Sequence, residues 1–443
     1  MKQTFFSILL GCLLITGSFA QKVEFKEFDL DNGLHVIMHQ DNSAPLVTVG
    51  VMYDVGGKDL GGDQANGNRT GFAHFFEHLL FEGTPNIERS SWFGLVSSNG
   101  GQNNANTSLD RTYYYEVFPS NNLELGLWLE SERMFHPIID QVGVDTQNEV
   151  VKEEKRLSYD NRPYGQLLFA ISENLFENHP YKYKNIGEMA DLDAATLEEF
   201  NAYFDKWYIP NNAVLVITGD IDKSNTEALV KKYFSGVPKG VKPTRNFLKE
   251  DPITTQKEVT YYDPNIQLPA VISAYRTPGF GTREAYILEM VSSYLSGGKS
   301  SVLYKKLIDE QQQALTVQAF NISQKDYGAY AIFGLPLGDT TSETLVAEID
   351  EEILKLQTEL ISERDFQKLQ NTFENNFVNS NSGMQGIAGS LATYYLLYDD
   401  VNLINKEIEI YRSITREEIR DAVKKYLSPN QRVLINYLPE STK

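Results

Sequence analysis

A 21-residue pattern that occurs twice constrains the fold of this chain more than any other feature of its sequence. Residues 196–216 match residues 415–435 without a gap, and eight positions are identical. Each copy begins with a Thr that is followed three residues later by a Glu, the pattern of a capped helix, and continues through Pro-Asn into a β-branched strand. The repeat therefore predicts two related halves that each end in helix, turn and strand.

The remaining patterns predict further strands and helices in both halves. Strands are predicted over residues 24–38, with a turn at Asp31-Asn32-Gly33, and over 47–55 and 270–275. Apolar spacing predicts helices over 71–81, 123–135, 144–159, 223–234, 283–295 and 302–311. Because the two types do not alternate regularly, the expected class is α+β: two homologous domains, each a largely antiparallel sheet flanked by helices.

The length of 443 residues suits two domains of roughly 200 residues each. Residues 236–252 are rich in Pro, Lys and Gly, which indicates a linker. The predicted organisation is a targeting segment at 1–20, an N-terminal domain at 21–235, the linker at 236–252, and a C-terminal domain at 253–443.

The first twenty residues are typical of a secretory signal peptide. Lys2 precedes an apolar run over residues 5–16, and Ser18-Phe19-Ala20 offers a cleavage point. Export, most simply to a periplasm, is the expected localisation. The alternative is a lipid anchor on Cys12, but the apolar run continues past it. Neither this run nor any later stretch is long enough to predict a transmembrane span.

The charge balance bears on the partners of the chain. Sixty acidic residues against forty basic ones give a formal net charge of −20. Such a surface repels phosphate backbones, so nucleic-acid binding is not expected. It attracts cationic partners such as basic peptides, or it serves only to keep the protein soluble.

One short segment carries the clearest chemical signal, His74-Phe-Phe-Glu77-His78. On a helix, His74 and His78 lie one turn apart on the same face and can bind one metal ion. Glu77 lies beside them, where a general base for a water at the metal belongs. Cys12 is the only cysteine, so a mature exported chain needs a third ligand that is a carboxylate or another His.

Glu154 is the best candidate for that third ligand. In the predicted helix over 144–159, one face is charged and includes Glu153. The other face is mostly apolar and consists of Gln147, Val150, Val151, Glu154 and Leu157. A carboxylate that projects inward needs a partner, so a metal bound by Glu154 is the favoured interpretation; the alternative is a Glu that extends outward to solvent.

These residues resemble the inverted zinc motif of the pitrilysin/insulinase metallopeptidases, the inverzincins, and the two-domain subfamily related to mitochondrial processing peptidase. In that family a Val-Val-x-x-Glu pattern ends in the third ligand, and Val150-Val151-Lys152-Glu153-Glu154 fits it. The resemblance implies a zinc endopeptidase with one Zn²⁺ per chain, held by His74, His78 and Glu154. It also implies peptide substrates.

Other positions follow from the same resemblance. Asn104, Ala105 and Asn106 correspond to an active-site edge strand that pairs with an extended substrate. An auxiliary Glu is frequent seven residues before the third ligand, and this chain has the neutral Gln147 there, so the auxiliary role is in doubt.

The second half departs from the family pattern. Members usually supply an Arg and a Tyr to the active site from a partner half, and this chain has Ile308 and Leu315 at those positions. The expected assembly is therefore a heterodimer with a related chain that keeps the Arg and Tyr; the alternative is a homodimer with other donors. A non-catalytic structural or assembly subunit is the alternative function, although it has no need of all four site residues.

Overall fold

A computed structural model of the chain describes residues 22–63 and 67–442. The predicted signal segment, including Cys12, lies outside the described residues. Within the described chain, six strands form one sheet in the first half and five strands form another in the second half. Helices flank both sheets, so the predicted α+β class is confirmed.

The first half contains eight strands and eight α-helices among the described residues. Its strands are β1 (Phe25–Asp29), β2 (His35–Gln40), β3 (Leu46–Tyr53), β4 (Gly61–Asp63), β5 (Gly67–Arg69), β6 (Gln102–Thr107), β7 (Thr112–Pro119) and β8 (Ala213–Gly219). Its helices are α1 (Phe72–Leu79), α2 (Trp92–Ser98), α3 (Leu123–Phe135), α4 (Gln141–Lys155), α5 (Leu167–Leu175), α6 (Met189–Ala194), α7 (Leu197–Trp207) and α8 (Lys223–Phe234).

The second half repeats this plan with fewer elements. Its strands are β9 (Lys257–Asp263), β10 (Ala270–Pro278), β11 (Ala314–Ser323), β12 (Tyr327–Pro336) and β13 (Arg432–Pro439). Its helices are α9 (Arg283–Ser296), α10 (Ser342–Thr358), α11 (Glu363–Ser380), α12 (Met384–Tyr398), α13 (Leu403–Ser413) and α14 (Arg416–Tyr426). Two segments wind as π-helix, Arg156–Asp160 after α4 and Tyr304–Glu310 before β11.

The two sheets have the same topology. The first has the order β1-β2-β8-β3-β7-β6, and the second has the order β9-β13-β10-β12-β11. Each contains one parallel pair, β2 with β8 and β13 with β9, and its other neighbours are antiparallel. Apart from β1, the strands correspond one to one in chain order, so β6 and β11 are equivalent edge strands. The predicted two homologous, largely antiparallel halves are therefore confirmed.

The sequence repeat corresponds to α7–β8 in one half and α14–β13 in the other. Both helices begin with a capping box, in which the Thr hydroxyl accepts from the third backbone N–H and the Glu carboxylate accepts from the Thr N–H. The pairs are Thr196 with Glu199 and Thr415 with Glu418. The predicted helix, turn and strand are found in both copies.

Each half covers one face of the other half's sheet with one of its own helices. Apolar residues of α12, such as Ile387 and Leu391, cover one face of the first sheet at Ile37 and Val216. In return, α5 packs on the equivalent face of the second sheet. The opposite faces of the sheets are covered by helices of their own half. Each sheet is thus buried on both sides, but only with the help of the other half.

The stretch from 238 to 256 contains no helix or strand. It lies where the linker 236–252 is predicted, yet α5 and α12 cross that boundary in space. The boundaries at 235 and 253 therefore stay a prediction for the chain order and do not separate two packing units. Among the described helices, none is long and apolar enough to cross a membrane.

Buried charges also join the halves. Lys58 Nζ lies 2.8 Å from Asp110 Oδ1 in the β6–β7 turn and 2.8 Å from Asp326 Oδ2 in the β11–β12 turn. Tyr181 OH donates to Asp110 Oδ1 at 2.5 Å. Lys58 and Tyr181 are almost fully buried, so this cluster fixes the two turns against each other.

Candidate metal centre

The helix that carries the two histidines, α1, begins at a glycine. Gly71 has a φ of 82°, and a Cβ there would lie 2.8 Å from the Cα of Gly187. A side chain is disfavoured by both the backbone conformation and this contact. Thr70, which precedes Gly71, does not cap α1, and its hydroxyl instead donates to Asp191 Oδ2 at 2.6 Å. This bond ties the start of α1 to α6.

The end of α1 is held by buried polar groups that the sequence analysis missed. Arg133 Nη1 donates to the carbonyl oxygen of Leu80 at 3.0 Å. The guanidinium is itself paired with Glu116 and Glu130, each at 3.1 Å, and all three side chains are fully buried. The available signal was a charged pair three residues apart, Glu130 and Arg133, inside the apolar helix predicted over 123–135.

His74 and His78 project from the same face of α1 towards α4. Their ring centroids are 4.9 Å apart. Glu154 Oε2 lies 3.5 Å from His74 Nε2 and 3.2 Å from His78 Nε2. One ligand atom from each of the three residues falls within 4.8 Å of the others. The structure thus brings together the three side chains that the sequence singled out as ligands.

Glu154 lies at the border of the buried face of α4. That face is centred on the buried Val144 and Val151, whereas Val150 and Leu157 are 44% and 64% exposed. The apolar face that was predicted to include Val150 and Leu157 is therefore wrong in part. Side chains of neighbouring residues on a helix point about 100° apart. Val150 and Leu157 therefore lie outside the surface that contacts α1.

The donor set fits a zinc ion. Two imidazole nitrogens and one carboxylate oxygen form a known catalytic zinc set, and they leave a coordination position open. Glu154 Oε2, which faces both imidazoles, is buried and has no hydrogen-bond partner among the described residues. A buried carboxylate oxygen of this kind needs a cation or a donor. Contact with His74, which has the larger effect, and with His78 lowers the pKa of the Glu154 carboxyl well below its usual range. This carboxyl is therefore ionised.

Glu77 lies on α1 between the two histidines and is partly exposed. No residue in the described ranges donates a hydrogen bond to its carboxylate. Burial raises the pKa of Tyr114 and of Tyr208, and the charge of Glu77 raises both further. The phenols of Tyr114 and Tyr208 therefore stay neutral.

β6 forms the open edge of the first sheet beside this cluster. Ser108 N donates to Arg111 O at 2.8 Å across the β6–β7 turn. Because hydrogen-bonded pairs alternate along an antiparallel ladder, the backbone groups of Asn104 and Asn106 face β7, and those of Asn103 and Ala105 face the open edge. Ala105 also packs on the core of the first half, whereas the side chains of Asn104 and Asn106 are exposed on the other face.

The Gln147 side chain is engaged away from the metal ligands. Its Nε2 donates to Glu82 Oε1 at 2.5 Å. Glu82 is also ion-paired with Arg89, which in turn holds Asp140, the N-cap of α4. This chain of contacts joins α4 to the segment that follows α1, and so it holds Glu154 opposite the histidines.

Ile308 and Leu315 lie in the second half, far along the chain from the histidines. Ile308 is in the π-helical segment and is partly buried against the second core. Leu315 is on the edge strand β11 and is 51% exposed. Neither side chain can donate a hydrogen bond, as the sequence analysis noted.

Comparison with known proteins decides the family. Residues 35–188, which include all four residues of the cluster, match the family model described as "Insulinase (Peptidase family M16)". Residues 194–373 match the model described as "Peptidase M16 inactive domain". The chain belongs to the insulinase family of peptidases. The resemblance inferred from the histidine motif is therefore confirmed.

Two proteins from Helicobacter pylori resemble this chain over most of its length. "Zinc protease PqqE" of Helicobacter pylori is 28% identical over 397 residues, which cover 88% of this chain and 87% of that protein. A crystal structure of a protease from Helicobacter pylori superposes with a TM-score of 0.86 and 25% identity, covering 94% of this chain and 99% of the other.

A longer protein shares the fold alone. The periplasmic protease PqqL from Escherichia coli superposes with a TM-score of 0.75 at 17% identity. The match covers 93% of this chain but only 47% of PqqL. PqqL is therefore about twice as long as the part that matches this fold.

Proposed function

We propose that this chain is a zinc-dependent endopeptidase that hydrolyses peptides or unfolded segments. One zinc ion per chain is held by His74, His78 and Glu154. The observation that carries the proposal is the convergence of these ligand atoms from α1 and α4 within 4.8 Å. The name of the Helicobacter relative, a zinc protease, supports the choice of metal.

The residues around the ligands have distinct parts in the proposed reaction. Bound zinc supplies a Lewis acid that polarises the scissile carbonyl and makes water more acidic. Glu77 accepts a proton from the attacking water and returns it to the leaving amine. Its carboxylate suits this because no described residue donates to it. Gln147 has no chemical step in this proposal, since its amide is bound to Glu82.

The substrate backbone is proposed to bind at β6. A peptide that adds as a further strand hydrogen-bonds to the outward groups of Asn103 and Ala105, where it replaces Asn104 Oδ1 as the acceptor of the Ala105 N–H. The exposed side chains of Asn104 and Asn106 flank it. Strand addition recognises the backbone more than the side chains. This mode suits extended peptides and unfolded segments better than folded proteins.

The working assembly is proposed to be a heterodimer with a related chain. Ile308 and Leu315 cannot stabilise an oxyanion, so a partner with Arg and Tyr at the equivalent positions completes the site. Large apolar side chains of the first half are exposed, including Phe93, Leu157 and Leu168 at 56%, 64% and 56%. A partner that encloses the substrate would cover such side chains.

Export is part of the proposal, on the strength of the signal-like residues 1–20. PqqL, which shares this fold, is likewise a periplasmic protease. We also propose residues 21–235 and 253–443 as the two domains in chain order, joined by 236–252.

Metal analysis with a matched variant tests the proposal. The chain is purified without added metal, together with His78→Ala, and both are assayed for zinc and for cleavage of a peptide library. About one zinc per chain is expected in the unaltered protein and little in the variant, because two ligands hold the ion poorly. Stoichiometric zinc in His78→Ala contradicts the ligand assignment. A chain without zinc or cleavage would leave an assembly subunit as the function.

A further inference from the structure

Arg111 occupies a rigid position beside the open edge of β6. It closes the β6–β7 turn, and the preceding Asp110 is fixed by three donors. These are Lys58 Nζ at 2.8 Å, Tyr181 OH at 2.5 Å and the backbone N–H of Lys325 at 3.0 Å. The turn is therefore anchored to both halves, and the backbone of Arg111 has little freedom to move.

The Arg111 guanidinium is half-buried and lacks a carboxylate partner. Its Nη1 donates to the carbonyl oxygen of Asn106 at 2.8 Å and to the Asn106 side chain. No carboxylate of residues 22–63 or 67–442 forms an ion pair with it. Burial lowers the pKa of Arg111, whereas Tyr113, Glu77 and Asp110 oppose that effect. Neither Nε nor Nη2 of Arg111 donates a hydrogen bond to another described residue.

Two other arginines, Arg133 and Arg245, both face carboxylates. Arg133 contacts Glu116 and Glu130, and Arg245 lies 2.6 Å from Asp59 and 3.0 Å from Asp54. Even a partly buried guanidinium loses hydration, and that loss is costly unless an anion faces it. Arg111 therefore has the environment of a residue whose anion arrives with a ligand.

Two cavities meet at Arg111. One of about 470 Å³ is lined by Thr107 at the end of β6 and by apolar rings such as Phe169 and Phe280. The other, of about 460 Å³, is lined by Asn106, Tyr113 and side chains of α12. Arg111 lines both, so a peptide that follows β6 to its end reaches this guanidinium.

We propose that Arg111 binds a carboxylate of the peptide substrate and thereby favours substrates that carry one near the cleavage site. This inference rests on the proposed function and names the substrate class for that site. The planar fork of arginine donors matches a carboxylate, and such bonds are stronger than bonds to a neutral carbonyl. The net charge of −20 disfavours anions elsewhere on the protein, so Arg111 supplies local selectivity.

The carboxylate is either the C-terminus of a peptide or an Asp or Glu side chain, and four matched peptides distinguish these sources. One has a free C-terminus and no acidic residue, and its twin is amidated. The third is amidated with one Glu, and its twin has Gln instead. Their dissociation constants are measured by fluorescence anisotropy on zinc-loaded Glu77→Gln full-length chain, so that binding is read without cleavage.

At least one carboxylate peptide is expected to bind about tenfold or more tightly than its neutral twin, as for a charge-assisted hydrogen bond. Arg111→Gln should reduce this ratio to about one, and Arg111→Lys should keep part of it. Lys184→Gln is the control, because Lys184 lines the same cavity but is already paired with Glu188 at 3.2 Å. It should keep the full ratio.

Three results would overturn the proposal. The first is the absence of any carboxylate preference in the parent protein, which needs no Arg111 variant and is unaffected by misfolding. The second is a preference that survives Arg111→Gln. The third is an equal loss of kcat for all four peptides in Arg111→Gln with unchanged binding, which would assign Arg111 to the oxyanion. Failure of the proposed function is separate, since it appears as absent cleavage by the chain with Glu77 intact.

Discussion

Four polar side chains within two helices differ sharply in what surrounds them. His74, His78 and Glu154 face one another, whereas the Glu77 carboxylate receives no hydrogen bond from the described residues. A side chain with that freedom can change its protonation without loss of a structural contact. The site therefore separates groups suited to hold a metal from a group suited to move protons.

Glu77→Gln should abolish most turnover and leave the metal in place. The amide is nearly the same size but cannot accept the proton of water, so the rate should fall at least about 100-fold. Zinc content and peptide affinity should remain unchanged, as measured by metal analysis and by anisotropy with an uncleaved peptide. Near-normal kcat in this variant would mean that another residue is the base.

Single residues also show where sequence reasoning succeeds. The spacing of His74 and His78 predicts their common face, because three and four residues make about one helical turn. The inward direction of Glu154 follows from the same geometry, although its neighbours Val150 and Leu157 were misplaced. Arg111 could not be found this way, since the absence of a carboxylate opposite it is decided by distant parts of the chain, and the pairing of Arg133 with Glu116 has the same origin.

The duplicated helices give a matched test at the scale of elements. Thr196 and Thr415 accept hydrogen bonds from Glu199 N and Glu418 N at 3.3 and 3.2 Å. Glu199 and Glu418 also pair with Arg69 and Arg283 in equivalent places, a correspondence that the local repeat did not predict. The two halves thus preserve the same start of the same helix in different surroundings.

Thr196→Ala and Thr415→Ala should each lower the free energy of unfolding by about 1 kcal/mol, the usual worth of an N-cap. Urea denaturation followed by circular dichroism measures the loss. Thr196→Ser and Thr415→Ser are the controls, because Ser keeps the hydroxyl and should cost much less. A loss in only one of the two Ala variants would show that the caps are not equivalent.

The exchange of α5 and α12 could not be predicted from the sequence. An amphipathic pattern shows that a helix buries one face, but it does not show which sheet receives that face. Both helices are apolar enough to pack on either sheet, and the choice follows from the path of the chain around them. The strand order could not be predicted from the sequence either, although the repeat indicated that both halves share it.

At the scale of the molecule, the two edge strands occupy equivalent positions but have different residues around them. β6 lies beside the histidine cluster, whereas β11 carries the exposed Leu315. The second half keeps the topology of the first without the residues that are proposed to bind the metal. This asymmetry within one chain motivates the proposed partner.

Mixing with a related chain from the same source should raise peptidase activity by at least about 100-fold, the usual worth of one oxyanion donor. The chain alone supplies Ile308 and Leu315 at those positions, which donate nothing. Rates are measured for the chain, the candidate partner and the mixture, with size-exclusion chromatography to detect the complex. A homodimer that is fully active alone would contradict the heterodimer and require other donors.

The reciprocal packing of α5 and α12 has a consequence for how the polypeptide is made. The first sheet receives its covering helix only when residues 384–398 have left the ribosome, late in synthesis. Until then one apolar face of this sheet has no helix to cover it, so the emerging N-terminal half can bury only the opposite face. We expect a nascent chain in this condition to stay open enough to pass through a secretion channel, so that the proposed export precedes the final packing of α12.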